Sequence, residues 1–347
     1  MDNKLFYKNL EENLSVFEGC GNMLGIVPLS LAGYKGGKNA WKKDRKLRSL
    51  LTKWGKEIKS DSVMVLAGDP LDAKKQGYHV EMFVFEPRGK DDTGMGGCIS
   101  TMCGNGVRAV AAWIREYEPG AKDASIMTMS GLRKIAIEGD LYTVEMGELT
   151  MKAKDLRPYI DTRKVLSNEA GEYVDSEIPE EILKKLSQHI STKTWSIGLN
   201  GTRDKKGKID GEPHIVIEIP KKEAKNIKAL RKIAVKAGPI ITKNKKLFPK
   251  EINANFVVVE GKKKEKLVVW NCTHERNLGS DADHSVTAAC GTGSTVVGGV
   301  MFTKYTKKAG STVLVKFKGG EMQISVKGKK KNPMTLLMKG PARRVKK

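Results

Sequence analysis

Short apolar runs, some alternating with polar residues and some unbroken, recur along most of this chain. Segments 62–67 and 79–85 read as strands, followed by 125–129, 134–138 and 141–146. Glu138-Gly139-Asp140 marks a tight turn between the last two. Pro179 opens a helix over 179–190, in which Ile182, Leu183, Leu186 and Ile190 share one face. A strand at 213–219, a basic helix near 222–237 and strands at 255–260, 266–271, 312–317 and 322–326 complete the pattern. Lys318-Gly319-Gly320 is the hinge of a final hairpin. Two segments stand apart, 107–114 and 294–301, apolar and helix-like, each opened by glycines. Many strands beside each such helix predict an α+β fold, a mainly antiparallel sheet wrapped around one central helix and built twice.

Length and composition agree with duplication. A chain of 347 residues with 39% hydrophobic content can bury two cores. The expected division is an N-terminal lobe over 1–150, a C-terminal lobe over 151–330, and a closing strand in 331–347 that returns to the first lobe. No apolar run approaches the length of a membrane span, and 1–12 lacks the apolar core of a secretory signal. Five cysteines at irregular spacing argue against a disulfide framework and for a cytoplasmic protein. No Cys/His spacing resembles a metal site. The net charge of +23 raises nucleic acid as a partner. The charge is spread along the whole chain, however, and the aromatic residues do not interleave with the basic runs as a stacking platform would. A lysine-rich solvated surface is the reading that fits, with a basic nucleic-acid-binding protein as the non-enzyme alternative.

The chemistry lies at the glycine-opened helices. Cys103-Gly104-Asn105-Gly106 precedes one and Cys290-Gly291-Thr292-Gly293 the other. A helix N-terminus presents unsatisfied N–H groups and partial positive charge, which favour a thiolate and a nearby carboxylate. Such a place can lower a thiol pKa from about 8.5 into the range of roughly 3.5–7.5. One such tetrapeptide could be an ordinary cap before a core helix. Two of them suit proton transfer between the two faces of one carbon, with Cys103 and Cys290 as acid and base. The amides around Gly104, Asn105, Gly291 and Thr292 would hold a carboxylate of the substrate.

Thr101 to Arg108 (TMCGNGVR) and Ala289 to Gly293 (ACGTG) resemble the two signature motifs of diaminopimelate epimerases, which stand with the cofactor-independent amino-acid racemases. Further similarities follow in the family's order: Gly19-Cys20-Gly21-Asn22, Gly211-Glu212-Pro213-His214, Phe248-Pro249, Asn253-Ala254-Asn255-Phe256, Glu275-Arg276 and Met338 to Ala342. The resemblance implies two pseudo-symmetric lobes closing on one small-molecule substrate, with no cofactor and no metal. It implies interconversion of LL- and meso-diaminopimelate, feeding lysine or cell-wall synthesis. By the same resemblance His214 and Glu275 stand near the thiols, Asn22 and Asn253 contact the substrate, and Arg276 grips its distal carboxylate. A homodimer is compatible with the sequence.

The chain also departs from the family pattern. Glu86 and Glu212 replace the usual Asn at contacts to the distal end of the substrate, and Ser60-Asp61-Ser62 matches only loosely. Extra residues precede both cysteines and bring in Asp281, Asp283 and His284. Two carboxylates beside a substrate carboxylate repel it unless protonated or paired, and they welcome a cation. Racemisation of another, basic, amino acid is therefore the alternative enzyme reading.

Overall fold

A computed structural model describes residues 3–60, 62–68, 70–89, 96–161, 176–263, 266–276, 285–306, 310–328 and 333–345. The chain forms two compact units, Met1–Val144 with Gly340–Lys347, and Glu145–Lys339.

In the first unit, helix α1 (Asn3–Asn13) precedes strands β1 (Ser15–Gly19) and β2 (Asn22–Pro28). Then come α2 (Arg45–Glu57), β3 (Ser62–Ala67), α3 (Pro70–Lys75), β4 (Val80–Glu86), β5 (Cys98–Ser100) and α4 (Gly104–Tyr117). Strands β6 (Asp123–Thr128), β7 (Gly131–Glu138) and β8 (Leu141–Thr150) follow. Going across the sheet, β1–β2 is antiparallel, β2–β3 parallel, β3–β4 antiparallel, β4–β6 parallel, and β6–β7 and β7–β8 antiparallel. Strand β3 is buried at every residue because both its faces are covered. Val63 and Val65 join a core with Leu10, Trp41, Leu47, Leu51, Phe83 and Phe85, while Met64 lies against Gly106 of α4. Helix α4 is buried from Gly104 to Ile114 and packs on β1, β2, β3, β6 and β7, which accounts for its apolar sequence.

The second unit contains α5 (Ala153–Leu156), β9 (Ser176–Glu177), α6 (Glu180–Leu186), β10 (Thr194–Arg203), β11 (Ile209–Glu218) and α7 (Ile227–Thr242). Strands β12 (Asn253–Lys263) and β13 (Lys266–His274), helix α8 (Gly291–Tyr305), and strands β14 (Thr312–Phe317), β15 (Gly320–Val326) and β16 (Met334–Pro341) complete it. The succession of pairings repeats that of the first unit: β10–β11 antiparallel, β11–β12 parallel, β12–β13 antiparallel, β13–β14 parallel, and β14–β15 and β15–β16 antiparallel. Helix α8 is buried from Gly291 to Phe302 and packs on all of β10 to β15.

Several boundaries differ from those read in the sequence. The first unit ends inside β8, and the second continues to Lys339 because Leu336–Lys339 of β16 pair with β15. Pro179 is the N-cap of α6 and not part of its first turn. Helix α7 starts at Ile227, capped by Asn226, whose side chain accepts from the Ala229 amide at 2.9 Å. It runs through Pro239 to Thr242, although an interior proline costs about 3 kcal/mol. Burial of Leu230, Ala234, Ala237 and Ile241 along one face offsets that cost.

The contact of α7 with β13 is close at Gly238, where an added Cβ would lie 2.3 Å from Cγ of His274. That buried ring is held by Thr242 (3.3 Å) and Ser285 (2.7 Å), so it cannot retreat freely. Gly238→Ala is expected to lower stability by about 1–3 kcal/mol, read as a lower urea midpoint at unchanged slope.

Candidate active site

In the first unit Cys103 is the N-cap of α4, at φ −134° and ψ 110°, and its Sγ accepts from the Gly106 amide at 3.3 Å. The sulfur does what a Ser or Asp oxygen does at an ordinary N-cap. Asn105, one residue into the helix, turns its side chain inward, where Oδ1 accepts from the guanidinium of Arg108 at 2.7 Å. Arg108 is completely buried and also reaches Sγ of Cys20 at 3.7 and 3.8 Å. Cys20 has φ 55° and Gly21 φ 83°, forming the two-residue turn between β1 and β2. Arg108 thus ties the start of α4 to the turn that positions Asn22, which is buried at the head of β2. Glu86 ends β4 and accepts from the Cys98 thiol at 3.2 Å. Asp61, Asp281, Asp283 and His284 lie outside the described residues.

The second unit repeats the cap. Cys290 is the N-cap of α8, at φ −121° and ψ 119°, with Sγ accepting from the Gly293 amide at 3.3 Å. Gly293 must be glycine, since a Cβ there would sit 2.7 Å from Asn255 Oδ1. Around this cysteine the sheet gathers most of the residues expected from the sequence. Asn255 donates through Nδ2 to the carbonyl of Ile215 (2.9 Å) and approaches His214 Nδ1 at 3.1 Å. An amide NH₂ facing Nδ1 makes that nitrogen an acceptor, so the neutral ring carries its proton on Nε2. Nε2–H then donates to Thr292 Oγ1 at 3.2 Å, and the Thr292 hydroxyl is free to point at Cys290 Sγ, 3.5 Å away. A directional chain therefore runs Asn255, His214, Thr292, Cys290. Asn253 Nδ2 lies 3.5 Å from His214 Nε2, and its Oδ1 accepts from the Arg276 amide at 3.0 Å.

Arg276 is engaged by protein groups. Its guanidinium forms an ion pair with Glu212 at 2.5 Å and donates to the carbonyls of Lys250 (3.1 Å) and Glu251 (3.3 Å). The repulsion that the sequence raised for Glu212 is relieved by this pairing. Asn255 and Arg108 are participants that motif reading passed over. Each could have been found by periodicity: Asn255 lies two residues from Asn253 on a strand, and Arg108 three residues from Asn105 on a helix.

Electrostatics corrects one expectation. The Cys290 thiol is pushed well up, not down, because burial and then the carboxylate of Glu275 outweigh the bonds from Thr292 and Gly293. Cys290 rests as a thiol, with Glu275 in hydrogen-bonding reach of its proton. Burial, followed by the nearby Arg276, lowers His214 to about 3, and burial with Lys243 lowers His274 to about 4. Among the described residues no cluster of His, Cys, Asp or Glu is arranged to hold a metal, and no helix is long and apolar enough to cross a membrane.

Both histidines take up protons in the unfolded chain at pH values where the folded chain refuses them. Stability is thus complete above about pH 6.5 and declines as the pH falls toward 4, by roughly 2 kcal/mol for each ring at pH 5. Denaturant unfolding at pH 7 and pH 5 measures this. In the folded protein, nitrogen-15 NMR should show His214 as the unchanging Nε2–H tautomer from pH 5 to 8.

A family profile for diaminopimelate epimerase matches residues 208–345. A diaminopimelate epimerase of Methanococcus aeolicus is 26% identical over 284 residues, 80% of each chain. Those of Methanocaldococcus jannaschii (28% over 257 residues, 72% of each) and Bacillus subtilis (27% over 252 residues, 70% of this chain and 71% of that one) are similar. Among solved structures, a hydroxyproline epimerase from Agrobacterium vitis superposes with a TM-score of 0.57 at 13% identity, covering 96% of this chain and 88% of that one. A phenazine biosynthesis protein of the PhzF family from Bacillus anthracis gives 0.54 at 12% identity, covering 96% of each. The fold is thus that of the racemase and PhzF-like proteins, and the chain is an isomerase whose residues 208–345 are similar to the diaminopimelate epimerases.

Proposed function

We propose that this protein epimerises diaminopimelate between the LL and meso forms, with Cys103 and Cys290 as the two proton-transfer groups. The observation that carries the reading is the matched pair of caps: two buried, glycine-opened helices, each with a cysteine sulfur on the third amide of the helix at 3.3 Å. In the forward step one cysteine, as thiolate, takes the α-hydrogen and becomes a thiol. The electron pair left behind spreads into the α-carboxylate, whose charge the helix-start amides near Gly104, Asn105, Gly291 and Thr292 stabilise. The other cysteine gives its proton to the opposite face of the carbon and is left as thiolate. In the reverse direction the roles exchange. Cys290, resting protonated beside Glu275, fits the acid of one direction, and Glu275 can take up its proton when the direction reverses. Thr292, held by His214, supplies a donor to the sulfur as charge appears on it.

A second reading rests on the pair between Glu212 and Arg276. A guanidinium already satisfied by a protein carboxylate has little to offer a distal substrate carboxylate, so an amino acid with a neutral or cationic end would be the better substrate.

In deuterated water, LL-diaminopimelate should gain one deuteron at the inverted carbon per turnover, followed by mass spectrometry. Exchange confined to lysine, arginine or histidine would establish the second reading instead. Cys103→Ala and Cys290→Ala should each reduce epimerisation by roughly 100- to 10,000-fold. Full activity in either variant would rule out the two-thiol scheme. Glu212→Asn, by releasing Arg276, should raise kcat/KM for diaminopimelate, whereas a loss would favour a substrate that needs the Glu212 charge.

A further inference from the structure

Arg108 is a buried charge without a countercharge. It is 0% exposed and is the one charged residue in the buried stretch of α4 from Gly104 to Ile114. Taking a guanidinium out of water is costly unless an anion pairs with it, and arginine does not escape that cost by losing its proton. Its partners are Oδ1 of Asn105 at 2.7 Å and Sγ of Cys20 at 3.7 and 3.8 Å, and no carboxylate among the described residues pairs with it. Its Nε–H is buried with no hydrogen-bond partner.

The elements packed on α4 do not neutralise it either. Strands β2 and β3 contain no ionisable residue. On β1, Glu18 is engaged by the Gly21 amide and by Arg343, while Arg344 is paired with Glu116. Asp123 of β6 and Lys134 and Glu138 of β7 are exposed, and the buried charge on β7 is a second cation, Arg133, which donates to the Ser130 carbonyl at 3.0 Å. An apolar side chain of the same length would fill the place of Arg108 at lower cost.

What the charge can do follows from where it points. A helical side chain leans toward the N-terminus of its helix, and Arg108 reaches back one turn to the side chain of Asn105. Its full positive charge thus lies under the first turn of α4, where the helix itself supplies roughly half a charge. The Cys103 sulfur caps that turn through the Gly106 amide. A charge held out of water is weakly screened over such a distance. We infer that Arg108 is a positioning residue that acts by its charge: transmitted past Asn105, it favours the thiolate of Cys103 and a carboxylate at the start of α4. For its meaning in turnover this rests on the two-thiol reading above, whereas its effect on Cys103 is measurable without any substrate.

The test alkylates the full chain with iodoacetamide across the pH range and follows the Cys103 peptide by mass spectrometry. Arg108→Met removes both the charge and the hydrogen bond, whereas Arg108→Gln keeps a donor for Asn105 without the charge. Both should move the midpoint of the Cys103 profile upward and slow alkylation at neutral pH by about tenfold, as a lost charge acting on a thiolate requires. The urea midpoint of Arg108→Met should equal or exceed that of the unaltered protein, because a buried cation gives way to an apolar chain of similar length. Cys20→Ser should leave the Cys103 profile in place. Recovery by Arg108→Gln alone would show a hydrogen-bonding role, and a lower urea midpoint or failure to fold in both arginine variants a structural one. A downward movement of the profile in Cys20→Ser would make the Cys20 sulfur the counter-anion. Each of these overturns the inference. Turnover of diaminopimelate should fall at least tenfold in both arginine variants. Full turnover with an unmoved profile would overturn this inference alone, whereas an unaltered protein inert toward diaminopimelate would overturn the earlier reading and leave the alkylation profile to decide this one.

Discussion

A cysteine sulfur standing in for the oxygen of a helix cap is the constraint on which this protein rests. For Sγ to receive the third amide of α4 or α8, the helix must begin at the cysteine, and its opening turn must come close to its neighbours. Gly106 against Met64 and Gly293 against Asn255 are the positions where that approach leaves no room for a side chain. The helix is then covered on all sides, from Gly104 to Ile114 in α4 and from Gly291 to Phe302 in α8. Strands do this in both units with the same succession of antiparallel and parallel pairings, so the repeated cap is part of a repeated architecture.

Burial is also what sets the chemistry. A thiol at a helix start in water would be acidified, but Cys290 is removed from water and faces Glu275, and these two effects outweigh two hydrogen bonds. The same burial keeps His214 neutral. A neutral imidazole can be an acceptor on one side and a donor on the other, which lets it pass orientation from Asn255 to Thr292. A charged ring would donate on both sides and break the chain. In the proposed mechanism His214 positions Thr292 and does not carry a proton.

The acidic substitutions at 86 and 212 are absorbed differently. Glu86 takes a proton-donating thiol, Cys98, as neighbour, whereas Glu212 takes Arg276. The second pairing spends the one guanidinium that the family resemblance reserves for the substrate's far end. In the proposed reaction, specificity turns on whether that ion pair opens.

Local signals settled much in advance. The tetrapeptides at 103 and 290 marked two helix starts, since glycine-rich turns before an apolar run act over a few residues. The hairpins at Gly139 and Gly319 and the strands at 62–67 and 312–317 were legible because turn residues and apolar periodicity act over a few positions. The continuation of α7 past Pro239 was not, because the burial that outweighs the proline comes from strands distant in sequence. Nor was the division inside β8, where no linker marks the chain. The direction of the Cys290 pKa, the tautomer of His214 and the partner of Arg276 depend on what lies within a few ångströms in space. Spacing along a chain carries the period of a helix or strand, but desolvation and ion pairing are properties of surroundings that exist only after folding.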